Sequence, residues 1–303
     1  TVALSQSVHA EVRLGGGSIR LSALDRDERV SLPSFAGLTY DGRLDRHKAA
    51  LNMLPVTGGL ELITTRDLSG AAGLAADAAA TVATLAALAR CRRESYAPAE
   101  IAGLAVALER DELHFAGNPL DAWAVSLGGA LHLRAAASEV EATAVVEDPS
   151  TVARLLGYLV VLPLSRGLAG GVCGACVARA LAAGDRAIAG AVETLENLVA
   201  PVAAAIASAA PERLREVFQR AWGAQRQLDP VLGAAPMREL EGLLEQAGAW
   251  AWKLTAGEEG GCLVVLCDPA HRARVEAAAR SAGCVPVTAV LGDGLRVWEE
   301  VEP

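Results

Sequence analysis

Cys173-Gly-Ala-Cys176 has the spacing of half a zinc site or of a redox pair. No second cysteine pair follows at zinc-ribbon distance, and the flanks lack the strand–helix context of a thioredoxin-type motif. The pair reads instead as two small apolar residues opening an alanine-rich helix. The histidines, His9, His47, His114, His132 and His271, are widely separated, so none grips a metal from one helical face as a His-x-x-x-His pair would. Neither Lys48 nor Lys253, the only lysines, completes a Gly-x-x-x-x-Gly-Lys-[Ser/Thr] phosphate loop. No Gly-x-Ser-x-Gly nucleophile elbow occurs. Gly15-Gly16-Gly17 has the composition of a phosphate loop, but a turn between two strands explains it at less cost.

The 303 residues suit two packed domains, and a hydrophobic fraction of 52% against 21% charged supplies a sizeable core. A net charge of −9 with basic residues scattered singly argues against a nucleic-acid partner. The longest apolar runs, such as Ala78–Ala80 and Tyr158–Leu164, are far shorter than the ~20 residues of a membrane span, so no membrane partner is expected. Six cysteines make no disulfide framework, and the expected setting is the reducing cytoplasm.

Val2–Leu14 and Ser18–Leu24 alternate apolar and polar residues on either side of the three glycines, which predicts a β-hairpin. A helix over Leu44–Leu54, a strand over Gly59–Thr65 and an alanine-rich helix over Leu74–Ala89 follow. Pro98 opens a helix with Ile101, Leu104 and Leu108 on one face. Asp121–Leu127 precedes a Gly128-Gly129 break, and strands return at Leu131–Leu133 and Ala142–Val146. The pattern changes near Glu147-Asp148-Pro149, dividing the chain into 1–148 and 149–303. Beyond it come helix Val152–Leu156, strand Leu159–Leu164, a helical stretch Val172–Ala209 punctuated at Gly184 and Pro201, and helices Glu212–Trp222 and Pro236–Ala247. Strands Ala249–Leu254 and Cys262–Cys267, helix Pro269–Ala282 and strand Val285–Leu291 complete an α+β arrangement. Trp250 and Trp252 are expected on one face of their strand.

The order of segments resembles the GHMP kinase superfamily over nearly the whole chain, most closely the D-glycero-D-manno-heptose 7-phosphate kinase-like sugar kinases. Five stretches carry the likeness. They are Asp41-Gly-Arg-Leu-Asp45-Arg-His47-Lys48, Ser69-Gly-Ala-Ala-Gly-Leu-Ala-Ala-Asp77-Ala, and Leu108-Glu109-Arg110 with Gly117-Asn-Pro-Leu-Asp121 and Gly128-Gly129. Ala221-Trp222-Gly-Ala-Gln225-Arg226 and Lys253-Leu-Thr-Ala-Gly-Glu-Glu-Gly260-Gly261-Cys262 are the last two. The resemblance implies a two-domain α+β fold, an N-terminal lobe like ribosomal protein S5 domain 2 and a ferredoxin-like C-terminal sandwich. It also implies ATP and Mg²⁺ as cofactors and phosphoryl transfer to a hydroxyl of a sugar or sugar phosphate.

By position, Asp121 becomes the acceptor-side carboxylate, Glu109 a metal ligand, and Asp77 stands where the family has its metal-binding serine. The phosphate cradle falls on Ala71, Ala72, Gly73, Leu74, Ala75 and Ala76, with Gly257, Gly260 and Gly261 from the third loop. His47 and Lys48 are the nearest candidates for substrate contact. Two family glycines are replaced by Ala71 and Ala75, and Glu258 and Glu259 bring negative charge to the third loop. Two readings follow: a working sugar kinase, or a GHMP-fold protein that binds or regulates without transferring phosphate. The second implies a partner subunit, and a homodimer fits either.

Overall fold

The computed structural model describes residues 1–67, 73–115, 118–136, 139–164, 174–257 and 260–299. Its contacts divide the chain into two compact units, the first comprising residues 1–69, 75–143 and 292–303, the second 70–74 and 144–291. Residues 292–299 group with the first unit.

In the first unit, strands β1 (Val8–Leu14), β2 (Ile19–Ala23) and β3 (Glu28–Leu32) precede helix α1 (Asp45–Met53) and strand β4 (Leu60–Arg66). Helices α2 (Ala76–Cys91), α3 (Pro98–Ala107) and α4 (Pro119–Leu127) follow, then the two-stranded β5 (Leu131–Ala136) and β6 (Glu139–Ala144). The main sheet has the order β1-β4-β2-β3. Alternation along β2 and β4 buries Ile19, Leu21, Leu60 and Leu62 against Leu51, Val82, Leu85, Leu88 and Ile101 from the helices.

The sheet order corrects the hairpin expected at Gly15–Gly17. β4 lies between β1 and β2, antiparallel to the first and parallel to the second, with Leu60 opposite both Leu14 and Ile19. Period two reports only which residues share a face; it does not name the neighbouring strand. The glycine segment therefore crosses the start of β4. Gly15 N–H donates to Gly59 O at 2.8 Å, and a Cβ on Gly59 would lie 2.5 Å from Gly16 O. Regular pairing in the first strand also begins at Val8, and Val2 makes only an isolated bridge to Ala130.

The second unit runs α5 (Pro149–Leu156), β7 (Leu159–Pro163), α6 (Gly174–Ala182), α7 (Arg186–Asn197), α8 (Val199–Ala207), α9 (Pro211–Leu228) and α10 (Ala235–Ala247). It ends with β8 (Ala249–Gly257), β9 (Gly260–Cys267), α11 (Arg272–Ser281) and β10 (Val287–Thr288). The sheet order is β10-β7-β9-β8, with every pairing antiparallel. β10 is shorter than the expected Val285–Leu291 strand. Cys176 lies in α6, whereas Cys173 falls outside the described residues.

A bulge between Ala249 and Ala251 resets the pleat of β8 and separates the two tryptophans. Trp250 packs with Tyr158, ring centroids 5.8 Å apart, beside Ala251 and Leu266, while Trp252 joins Val265 and Leu244 in the other cluster. They do not share a face. Arg186–Ala207 is long and apolar enough to cross a membrane by length and composition, with 11% of its most apolar window buried. The sequence reading missed this run because Arg186, Glu193, Glu196 and Asn197 interrupt its apolar residues; α7 ends at Asn197 and α8 begins at Val199. Leu198 packs with Val217 and Ala221, and Ala205 with Leu214 and Phe218.

Candidate active site

Three separate turns of the first unit deliver the carboxylates. Glu109 sits on a π-helical turn, Leu108–Glu112, that continues α3, and its carbonyl accepts Phe115 N–H at 2.8 Å. Asp121 occupies the first turn of α4, which Asn118 caps by accepting Leu120 N–H, with Pro119 pre-set for the first helical position. Asn118 Nδ2 donates to Asp121 Oδ1 at 2.9 Å. Burial, and after it the negative charge of Glu109, raises the Asp121 carboxyl above its ordinary value despite that hydrogen bond. The charge of Glu109 therefore reaches Asp121.

Asp77 lies in the first turn of α2, where the helix dipole favours an anion. Its immediate surroundings are three guanidinium groups from three other elements. Arg26, from the turn after β2, donates at 2.8 Å; Arg66, the last residue of β4, at 2.5 Å; Arg46 of α1 stands 3.7 Å away. Arg66 also meets the buried Asp25 at 3.4 Å, and Arg46 reaches Glu109 at 3.5 Å while lying over the Phe115 ring. Burial alone would raise the Asp77 carboxyl, but Arg46, Arg66 and Arg26 outweigh it and hold it below the usual range. These arginines border a cavity of about 280 Å³ whose wall includes His47, Thr64, Thr84, Asp45, Glu28 and Phe115.

Sequence reasoning missed all three arginines. Arg26 and Arg66 carry no local motif, Arg46 lies within the Asp41–Lys48 stretch without having been singled out, and the three meet only because β2, α1 and β4 are brought together in space.

Lys48 corrects an expectation. It is buried, and Nζ donates to Thr39 O at 2.8 Å, to Asp41 and to Asp45 at 3.3 Å. An ammonium has three donors, and all are committed, so Lys48 fastens the 39–45 loop rather than contacting substrate. His47 lines the cavity wall, with Nε2 hydrogen-bonded to Thr64 Oγ1 at 2.9 Å. Burial first, then Arg26, Arg66 and Arg46, push its pKa down to about 4 against the opposing charge of Asp25. The neutral ring's stabilising contribution is complete above the ordinary histidine value of 6.5 and is lost as pH falls towards 4. At pH 5 the loss should be about 2 kcal/mol, from 1.36 kcal/mol per pH unit. His47→Gln is expected to shrink the drop in unfolding free energy, measured by urea titration at pH 7 and pH 5, by that amount; an unchanged drop would assign it to other groups.

The cradle positions are divided between the units. Ala75 caps α2 at φ +55°, a left-handed conformation in which its Cβ is disfavoured by about 1–2 kcal/mol, and Ala76 is the first helical residue. Gly73 and Leu74 belong to the second unit, where Gly73, at φ +83°, approaches Thr255 O and the Gly261 Cα. Gly257 of β8 pairs with Gly260 of β9. Ala71, Ala72, Glu258 and Glu259 lie outside the described residues.

Magnesium does not fit the side chains as they stand. Asp77 offers its oxygens to three guanidiniums and Glu109 to a fourth contact from Arg46, so a divalent cation would have to displace cations already in place. Among the described residues no group of three or more His, Cys, Asp or Glu is placed to hold a metal.

Residues 44–129, which contain α1 through α4, match the family model of the GHMP kinases N terminal domain. No curated protein matches the chain in sequence. Among solved structures it is similar to a D-glycero-D-manno-heptose 1-phosphate kinase from Bacteroides thetaiotaomicron, with TM-score 0.74 at 16% identity over 96% of this chain and 87% of that one. Lactococcus lactis galactokinase in complex with galactose gives 0.69 at 15% identity, covering 97% and 87%. Streptococcus pneumoniae phosphomevalonate kinase with phosphomevalonate and AMPPNP gives 0.69 at 11%, covering 93% and 89%. Over residues 44–129 the chain matches the N-terminal domain of the GHMP kinases, and as a whole it has the α+β fold of these solved kinases.

Proposed function

We propose that the protein is a GHMP-fold kinase of small molecules, moving a phosphoryl group from ATP to a hydroxyl of a sugar or sugar phosphate, heptose-like in size, in the cytoplasm. One observation carries the reading: Asp121 is held by Asn118 beside Glu109 with its carboxyl raised towards neutrality. A carboxylate poised in that way suits removal of a proton from an attacking hydroxyl. Phosphoryl transfer otherwise asks the protein for positioning and for neutralisation of spreading negative charge. Here Arg46, which touches both Asp77 and Glu109, is the cation best placed to neutralise it. Because Mg²⁺ does not fit, no step is assigned to a metal held by Asp77 and Glu109.

A second reading, a protein that binds a sugar phosphate without transferring phosphate and acts on a partner subunit, is favoured by the occupation of Asp77. Phosphorus NMR of the protein with ATP, Mg²⁺ and a panel of hexoses, heptoses and their phosphates separates the two. A new phosphate-ester resonance with matching ADP supports the kinase. Saturable sugar-phosphate binding with no new ester under any nucleotide supports the second.

A further inference from the structure

The cation cluster around Asp77 lies within the first unit and can be judged without reference to turnover. Each guanidinium has five N–H donors, so three of them far outnumber the two oxygens of Asp77 and the single oxygens taken from Asp25 and Glu109. All three border the same cavity. Two further carboxylates, Asp45 and Glu28, line it. Asp45 is engaged with Lys48 and with the backbone N–H groups of Asp41 and Gly42. Arg46 lies over the Phe115 ring, its guanidinium carbon 5.6 Å from the centroid, and Arg66 is largely buried between Asp25 and Asp77. Asp77, by contrast, leaves about half of its side chain exposed (46%). Of the three carboxylates paired with these arginines it is the most open, with Asp25 at 7% and Glu109 at 17%.

We infer that Asp77 is a built-in substitute for a bound oxyanion, and that the Arg26–Arg46–Arg66 cavity takes the phosphate group of a small phosphorylated molecule directly, with no divalent cation. Planar guanidinium forks match the oxygens of a phosphate and give charge-assisted hydrogen bonds. Threonine hydroxyls and the neutral His47 ring along the wall can meet a polar carbon skeleton beside it. The incoming phosphate shares or takes over donors now serving Asp77, so the aspartate competes with the ligand and tunes its affinity. This inference stands whether or not phosphate is transferred, and its failure leaves the kinase assay above untouched.

Calorimetric titration of the full chain in EDTA tests it, using glucose 6-phosphate, inorganic phosphate, ATP and unphosphorylated glucose as probes. Glucose 6-phosphate is expected to bind, more weakly as salt rises, while glucose does not; tighter binding by ATP instead would assign the phosphate to a nucleotide. Asp77→Asn should strengthen binding about tenfold, and Arg46→Gln should weaken it about tenfold. Should Asp77→Asn fail to fold, Arg26→Gln, at a half-exposed arginine, must still weaken binding. Absence of binding by every phosphorylated probe overturns the inference. So does binding that appears only when Mg²⁺ replaces EDTA, or an Asp77→Asn protein that binds less tightly than the parent.

Discussion

Asp121→Asn is expected to lower kcat for phosphoryl transfer by about 10²–10⁴-fold, the range for loss of a positioned general base, with little change in KM. The substitution keeps the shape of the side chain at the first turn of α4. It removes the group that can accept a proton from the attacking hydroxyl. In the parent protein, activity should fall as pH drops through the Asp121 value, which burial and Glu109 set above the ordinary carboxylate range. The asparagine protein should lose that acidic limb from its residual rate. If Asp121 served only to start α4, the exchange would alter stability slightly and leave the rate and its pH profile in place. Unfolding midpoints of both proteins, measured alongside the rates, separate these outcomes.

Gly73→Ala should destabilise the second unit by about 2–5 kcal/mol. Two effects add. At φ +83° an L side chain costs about 1–2 kcal/mol, and overpacking a fitted contact costs about 1–3 kcal/mol more. A Cβ there would lie 2.6 Å from Thr255 O and 2.9 Å from the Gly261 Cα. Both neighbours are main chain, so no rotamer change relieves the clash. Gly223→Ala in α9 is the control, because nothing lies within 4 Å of its Cβ position and alanine favours a helix interior by about 0.5–1 kcal/mol. Urea unfolding should therefore move in opposite directions for the two. A Gly73→Ala protein as stable as the parent would mean that the β8–β9 segment yields freely.

The alanine-rich helix α2 and the Pro98 helix α3 were legible because propensity and a 3.6-residue apolar pattern act over a few turns of chain. The order of Glu109, Asp121 and the Gly128-Gly129 break was legible in the same way, as spacing along one segment. The strand after Gly17 was equally readable as a strand, but its partner was not. Alternation marks the buried face of β2, yet β4, forty residues on, inserts beside it. Trp250 and Trp252 show the same limit within a single strand, since one bulge residue changes which side each faces.

What the sequence by itself determined is most of the elements and their order, β3 at Glu28–Leu32 excepted, and the spacing of Glu109, Asp121 and the glycines along them. Those features rest on interactions between residues a few positions apart. Tertiary structure alone decided that Lys48 is a buried tie and that Asp77 sits among Arg26, Arg46 and Arg66. Ionic and hydrogen-bonding partners are chosen by distance in space and by loss of water, and neither quantity is written in local spacing.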